Sequence, residues 1–263
     1  MVKRVLVFDS GVGGLSVYQE IHALLPQVQY IYAFDNAAFP YGELAEDVLI
    51  QRTHHIVCLL VARHDIDLVV IACNTASTIV LPSLRGSLSI PVVGVVPAIK
   101  PAAAISKKKV IGLLATPATV KRAYTHDLVQ QFACDCDVLM IGSTRLVEMA
   151  EEKLRGISVS SDELGKILQP WQGKVDSIVL GCTHFPLIKE DILLAFRSAV
   201  QIVDSGKAIA NRVQLLLGEC VETGGTIENL TYNSAATKDA AALNYSLRKM
   251  QLGIIQSLHL PNF

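Results

Sequence analysis

Little net charge, no long apolar run and no C-x-x-C pair mark this 263-residue sequence, and each absence removes a class of function. Formal net charge is -1 at pH 7 and the pI is near 6.6. Nucleic-acid binders carry a basic excess or stripe. The only basic run here, Lys107-Lys108-Lys109, reads as a solvated lead-in to a strand, so no nucleic-acid partner is expected. Nothing approaches the ~18 uninterrupted apolar residues of a membrane span. The longest apolar segment, 92–104, is broken by Pro97, Lys100 and Pro101. The opening MVKRVLVFDSG reaches Asp9 after a short apolar run, too little for a signal-peptide core. The expected location is the cytoplasm, where thiols stay reduced. The six cysteines, Cys58, Cys73, Cys134, Cys136, Cys182 and Cys220, fit no zinc framework. Cys134 and Cys136 lack further ligands nearby and read as two partly buried thiols, one at a helix end and one entering a strand. No metal is expected.

What is present is a chain 51% hydrophobic, with mean hydropathy +0.41, able to bury one large core or two smaller ones. Short β-branched runs at 5–8, 30–34, 68–72, 92–96, 110–115, 138–142, 177–181 and 200–204 read as strands. Most are apolar on both faces, as parallel strands covered by helices must be. Helical patterns fall at 14–25, 43–64, 77–87, 97–106, 118–132, 144–154, 160–171, 186–198 and 206–218. This alternation predicts an α/β fold with mainly parallel sheets.

An internal echo divides the chain. DLVVIACNT (67–75) aligns without a gap on DSIVLGCTH (176–184), at an offset of 109, so that Asp67 falls on Asp176 and Cys73 on Cys182. KRVLVFDSG (3–11) aligns less well on KKVIGLLAT (108–116), at an offset of 105. The expectation is two similar domains related by a pseudo-twofold: 1–97 with the returning tail 207–263, and 98–206. Within NLTYNSAATKDAAALNYSLRKM a short strand or loop, then a helix, is expected. Ligands of open α/β sheets bind beyond the carboxyl ends of strands. Cys73 and Cys182 both sit there, so the active site is expected in the cleft between the domains.

Three stretches can carry chemistry. DSGVGGLS (9–16) follows a strand and opens a helix, a setting that cradles anions. With Asp35 it mimics a dinucleotide fingerprint, but Ser16 stands where the last glycine belongs. CNTAS (73–77) places a thiol at a strand end before amide and hydroxyl donors, where a helix N-terminus favours a thiolate. A buried cysteine is also common core filler. CTHFP (182–186) repeats the arrangement with Thr183 and His184. Cys beside His raises a thiol-hydrolase reading, although neighbours on one turn often point apart. Two thiols in equivalent frames suit a symmetrical proton transfer. One takes a proton from one face of a carbon, and the other returns a proton to the opposite face.

FDSGVGGLSV (8–17), FPYGE (39–43), ACNTAS (72–77), GLLATPATV (112–120) and GCTHFPL (181–187) together resemble the cofactor-independent aspartate/glutamate racemases, the glutamate racemases in particular. The likeness covers about 1–218. It implies an isomerase that interconverts L- and D-glutamate and supplies D-glutamate for peptidoglycan, hence for cell-wall biogenesis and cell shape. It implies Cys73 as the thiol acting on the D-isomer and Cys182 on the L-isomer, assisted by Asp9 and His184. Asp9, Ser10, Tyr41, Gly42, Asn74, Thr75, Thr183 and His184 match substrate-binding positions. Asp35 and Glu151 resemble acidic neighbours, though Glu152, or plain surface charge, fits the second position equally well. No cofactor is implied: no lysine stands within the motifs to hold pyridoxal phosphate, and Lys207 reads as a helix-start residue. A racemase for aspartate or another acidic substrate, a single-thiol decarboxylase and a two-domain binding or inhibitory protein are the rivals. The oligomeric state stays open, a homodimer among the options.

Overall fold

The computed structural model describes residues 2–196, 199–220, 227–258 and 260. The chain divides into two compact units, Met1–Val95 with Gly206–Phe263, and Val96–Ser205.

The first unit opens with β1 (Arg4–Asp9), α1 (Leu15–Leu24), β2 (Gln29–Phe34), α2 (Glu46–His64), β3 (Leu68–Ile71), α3 (Asn74–Ser87) and β4 (Val92–Gly94). The second contains α4 (Ile99–Ile105), β5 (Val110–Ala115), α5 (Pro117–Lys121), α6 (Ala123–Phe132), β6 (Asp137–Gly142), α7 (Arg145–Leu154), α8 (Ser161–Leu168), β7 (Ser177–Leu180), α9 (Lys189–Ala195) and β8 (Gln201–Val203). The chain then adds α10 (Gly206–Leu217), β9 (Leu230–Asn233), α11 (Ala240–Lys249) and β10 (Ile255–Ser257) to the first unit.

Both sheets are parallel throughout. Their strand orders are β10-β9-β2-β1-β3-β4 and β6-β5-β7-β8. The second order repeats the run β2-β1-β3-β4 of the first, strand for strand. The ladders also correct the repeat alignment. Val5 faces Leu68 and Ile111 faces Ser177, so β1 and β5 correspond at an offset of 106 (Val5 to Ile111), not 105. The single residue matters because a one-step slip exchanges the two faces of a strand. In the true register Asp9 corresponds to Ala115, so the second unit has no carboxylate at that place.

Asp67 and Asp176, the first residues of the echo, do the same structural work. Asp67 accepts from the Arg4 amide and Lys3 Nζ, both at 2.8 Å. Asp176 accepts from the Lys107 and Lys108 amides at 2.8 and 2.7 Å and from Ser106 Oγ at 2.6 Å. Each carboxylate ties the start of one strand to its central neighbour.

The tail is bolted to the first unit by polar contacts. Asn229 Oδ1 accepts from the Tyr30 amide and its Nδ2 donates to Gln251 O. Tyr18 Oη donates to Met250 O, and α10 packs on α1. β10 is a strand the sequence pattern does not announce, three residues without an apolar run. Other boundaries moved for local reasons. The expected helix at 118–132 breaks at Arg122, which is extended, while Thr125 Oγ1 donates to the Thr119 carbonyl at 2.6 Å. The pattern at 43–64 begins on the last residue of a 3-10 turn, Tyr41–Glu43, and the pattern at 160–171 ends in one, Gln169–Trp171. The pattern at 186–198 becomes a 3-10 turn, Phe185–Ile188, then α9, and its positions 197 and 198 lie outside the described residues. Cys134, expected partly buried, is exposed.

Among the described residues, no helix is long and apolar enough to cross a membrane.

Candidate active site

Cys73 follows β3 by two residues, and α3 begins at the very next residue, not at 77. Asn74 and Thr75 are poor helix-interior residues and good first-turn residues, which hides the true start from a propensity reading. The consequence is chemical: the amino end of a 14-residue helix lies at the thiol, and its partial positive charge favours an anion there. Cys73 is buried, 6% exposed, and its sulfur lies 3.7 Å from Ser10 Oγ. Ser10 Oγ in turn donates to Asp9 Oδ1 at 3.2 Å, and the Gly11 amide donates to the same oxygen at 3.1 Å. Asp9 is fully buried at the carboxyl end of β1. Gly14 lets α1 start over it, since a Cβ there would stand 2.9 Å from Asp9 Cβ and 3.0 Å from Ala72 Cβ.

Beside this group lies a second one. Asp35, just beyond β2, accepts Tyr41 Oη at 2.8 Å and a two-pronged guanidinium, Arg52 Nε and Nη2, both at 2.8 Å. Thr53 Oγ1 approaches Tyr41 Oη at 3.5 Å. Burial first, and then the Asp35 charge, hold the Tyr41 phenol well above its ordinary value, so it remains a proton donor. Tyr41 packs in the same apolar cluster as Cys73. Its hydroxyl is already committed to Asp35. Arg52 and Thr53 were not singled out in the sequence; Arg52 lies mid-helix in a polar stretch with nothing to distinguish it from a solvated residue. Gly42 lies in the same 3-10 turn as Tyr41, Tyr41–Glu43.

Asn74 and Thr75 are buried at the start of α3. Among the described residues, the buried Asn74 Oδ1 has no hydrogen-bond partner, which leaves an acceptor for a ligand's donor.

In the second unit Cys182 follows β7 by two residues and is 7% exposed. Gly181 precedes it, where a Cβ would stand 3.0 Å from Leu113 Cδ1. The neighbours of this thiol are different. His184 Nδ1 lies 3.8 Å from its sulfur, and His184 Nε2 lies 2.9 Å from Glu151 Oε1. Arg155 Nη1 then donates to Glu151 Oε2 at 2.6 Å. Burial of the imidazole works against its charge, but Cys182 and Glu151 outweigh it and hold the His184 pKa up at about 10. Adjacent residues do meet on this turn. On α7, Glu151 lies against His184, while Glu152 pairs with Arg145 at 2.8 Å. Thr183 is buried beside them.

The two thiols therefore occupy equivalent strand ends with unlike support. Cys73 has a helix terminus and the Ser10–Asp9 pair; Cys182 has an imidazole, a carboxylate and a guanidinium in line. Both sets can take up and release a proton beside a sulfur. Among the described residues, no three His, Cys, Asp or Glu side chains gather to hold a metal ion.

Each unit of this repeated parallel α/β fold thus carries a thiol just beyond an equivalent strand. The Asp/Glu/Hydantoin racemase family model matches residues 5–213, and the chain belongs to that family. Within it, the chain is 60% identical over 264 residues to the glutamate racemase of Aliivibrio fischeri strain ES114, covering 100% of each. It is 58% identical to the glutamate racemase of Vibrio cholerae O1, over 96% of this chain and 95% of that one. Its fold is similar to that of the Escherichia coli glutamate racemase solved with L-glutamate and the activator UDP-MurNAc-Ala, with a TM-score of 0.94, 48% identity and full coverage of both chains.

Proposed function

We propose that the chain is a cofactor-independent glutamate racemase that uses Cys73 and Cys182 as its two acid–base groups. The observation that carries this reading is the pair of buried thiols on equivalent strands, each beside its own proton-handling neighbours. One thiolate removes the α-proton of glutamate and becomes a thiol. The other thiol gives its proton to the opposite face of the α-carbon and becomes a thiolate, so the product is the mirror image and the two sulfurs exchange protonation states. Cys73 acts on the D-isomer and Cys182 on the L-isomer. Asp9, through Ser10, serves the first thiol, and His184, held by Glu151, serves the second. Backbone amides at the start of α3 stabilise negative charge that builds on the substrate carboxylate. Asn74 Oδ1 accepts from the substrate ammonium, and Ser10, Tyr41, Gly42, Thr75 and Thr183 line the substrate. The product D-glutamate feeds peptidoglycan synthesis in the cytoplasm.

Incubation of the pure protein with L-glutamate in D2O, without pyridoxal phosphate, tests this. The expected result is loss of optical activity together with loss of the α-proton NMR signal. Absence of both changes would sink the racemase reading, and inversion of aspartate alone would move it to the aspartate enzyme.

A further inference from the structure

We propose that Arg52 is a positioning residue for the Cys73 half of the reaction, acting through Asp35 on Tyr41 and on the charge beside the thiol. The proposal deepens the racemase reading and rests on it for its catalytic meaning. Arg52 lies on α2 and has a side chain only 13% exposed. Asp35 is fully buried, and its ion-pair partner among the described residues is Arg52. The geometry is the fork-to-fork arrangement, with both guanidinium nitrogens at 2.8 Å from separate carboxylate oxygens. Such a pair holds orientation as well as charge.

Two consequences reach the thiol. First, the Asp35 carboxylate accepts from Tyr41 Oη at 2.8 Å, which directs the Tyr41 proton toward Asp35 and away from Cys73 and the substrate. Second, a buried carboxylate is balanced where an unbalanced one would repel a thiolate. The strand order places Asp35, Asp9 and Cys73 at or just beyond the carboxyl ends of the adjacent strands β2, β1 and β3. Asp35 and Cys73 are thus two strand spacings apart, about 10 Å. Tyr41 bridges this interval from the 3-10 turn and belongs to the core cluster that contains Cys73. Among the described residues, the polar groups around Cys73 include Ser10 and Asp9 from the end of β1, Tyr41 from the turn, the Asp35–Arg52 pair beyond it, and Asn74 and Thr75 on its own helix.

The test reads each thiol separately. Iodoacetamide alkylation of the full chain is followed against pH by peptide mass spectrometry, so that Cys182 serves as the internal control. At an effective dielectric of about 20, a unit charge ~10 Å away moves a midpoint by about one pH unit. Asp35→Asn removes the negative charge paired with Arg52 while Asn Oδ1 can still accept from Tyr41, so the Cys73 midpoint falls by about that amount. Arg52→Met moves it upward, and Arg52→Met/Asp35→Asn returns it close to the parent value. Arg52→Lys restores the charge without the fork and recovers most of the midpoint and of the kcat lost in Arg52→Met.

An unmoved Cys73 midpoint in Asp35→Asn overturns the proposal, whatever Arg52→Met does. Equal movement of Cys73 and Cys182 overturns it too, because that pattern reports general loosening. A double variant no nearer the parent than Asp35→Asn removes the charge-pair argument. These readouts need no turnover. A parent protein that inverts no glutamate defeats the racemase reading and leaves the role of Arg52 to be decided by alkylation.

Discussion

Replacing Glu151 by Gln tests the support of the second thiol. Glu151 Oε1 lies 2.9 Å from His184 Nε2, inside a site where the imidazole is almost completely buried. The His184 pKa stands at about 10 against an ordinary 6.5. That gap corresponds to about 5 kcal/mol favouring the charged ring, net of the burial that opposes it. Cys182 and Glu151 share the work. If Glu151 supplies about half, removing its charge lowers the His184 midpoint by about two pH units. Gln keeps the size and an acceptor oxygen, so the change isolates the charge. The sign of the stability effect follows from the raised pKa. The contribution is complete below the unfolded value of 6.5 and disappears as pH rises through about 10. Glu151→Gln should therefore cost most in stability below neutral pH and little at the alkaline end. The assay is the His184 Cε1–H signal followed by NMR from pH 5 to 11, with thermal unfolding at the same pH values. The parent protein should show no His184 titration below about pH 8.5, and the variant should bring its midpoint to about 8. A parent His184 titrating near its ordinary value, or a variant with an unchanged midpoint, would refute the reasoning.

Serine in place of Cys73 or Cys182 should lower glutamate inversion by about 10²-fold or more, because a hydroxyl is a far weaker acid than a thiol; polarimetry reads this, and unchanged turnover removes that thiol from the mechanism. Gly14→Ala forces a methyl against Asp9 and Ala72 at 2.9–3.0 Å; denaturant melts should show a loss of about 1–3 kcal/mol, and no loss would mean that α1 shifts freely. Asp176→Asn should flatten the acid limb of stability. Burial works against the Asp176 charge, but Ser106 and the Lys107 and Lys108 amides outweigh it and hold its pKa below the ordinary value. Its contribution is present above pH 3.8 and is lost as pH falls through the folded value. Urea midpoints measured from pH 2 to 6 check this, and parallel curves for parent and variant would contradict it.

Much of this protein is readable before it folds. Parallel strands buried on both faces must be apolar nearly throughout, so the runs at 5–8, 68–72 and 177–181 announce themselves by composition. The repeat announces itself through Asp67/Asp176 and Cys73/Cys182, because both pairs answer to local demands that do not change between copies: a carboxylate for strand-entry amides and a thiol at a strand end. Marginal elements are silent for a matching reason. β10 is three residues long and half exposed, held by its ladder with β9 and by the Asn244 side chain at the Ile255 amide, not by any apolar run.

The sequence alone determined the fold class, the two thiols and the chemistry they suit, since these rest on residue type and periodicity. Tertiary structure decided who assists whom. Ser10 reaches Cys73 across 63 positions, Glu151 reaches His184 across 33, and Arg52 grips Asp35 across 17. A hydrogen bond is decided by direction and distance over a few ångströms, and sequence separation carries no information about either. The ladder register is likewise a three-dimensional fact: it put Asp9 opposite Ala115 in the repeat, and so left the second thiol to depend on an imidazole where the first has a carboxylate.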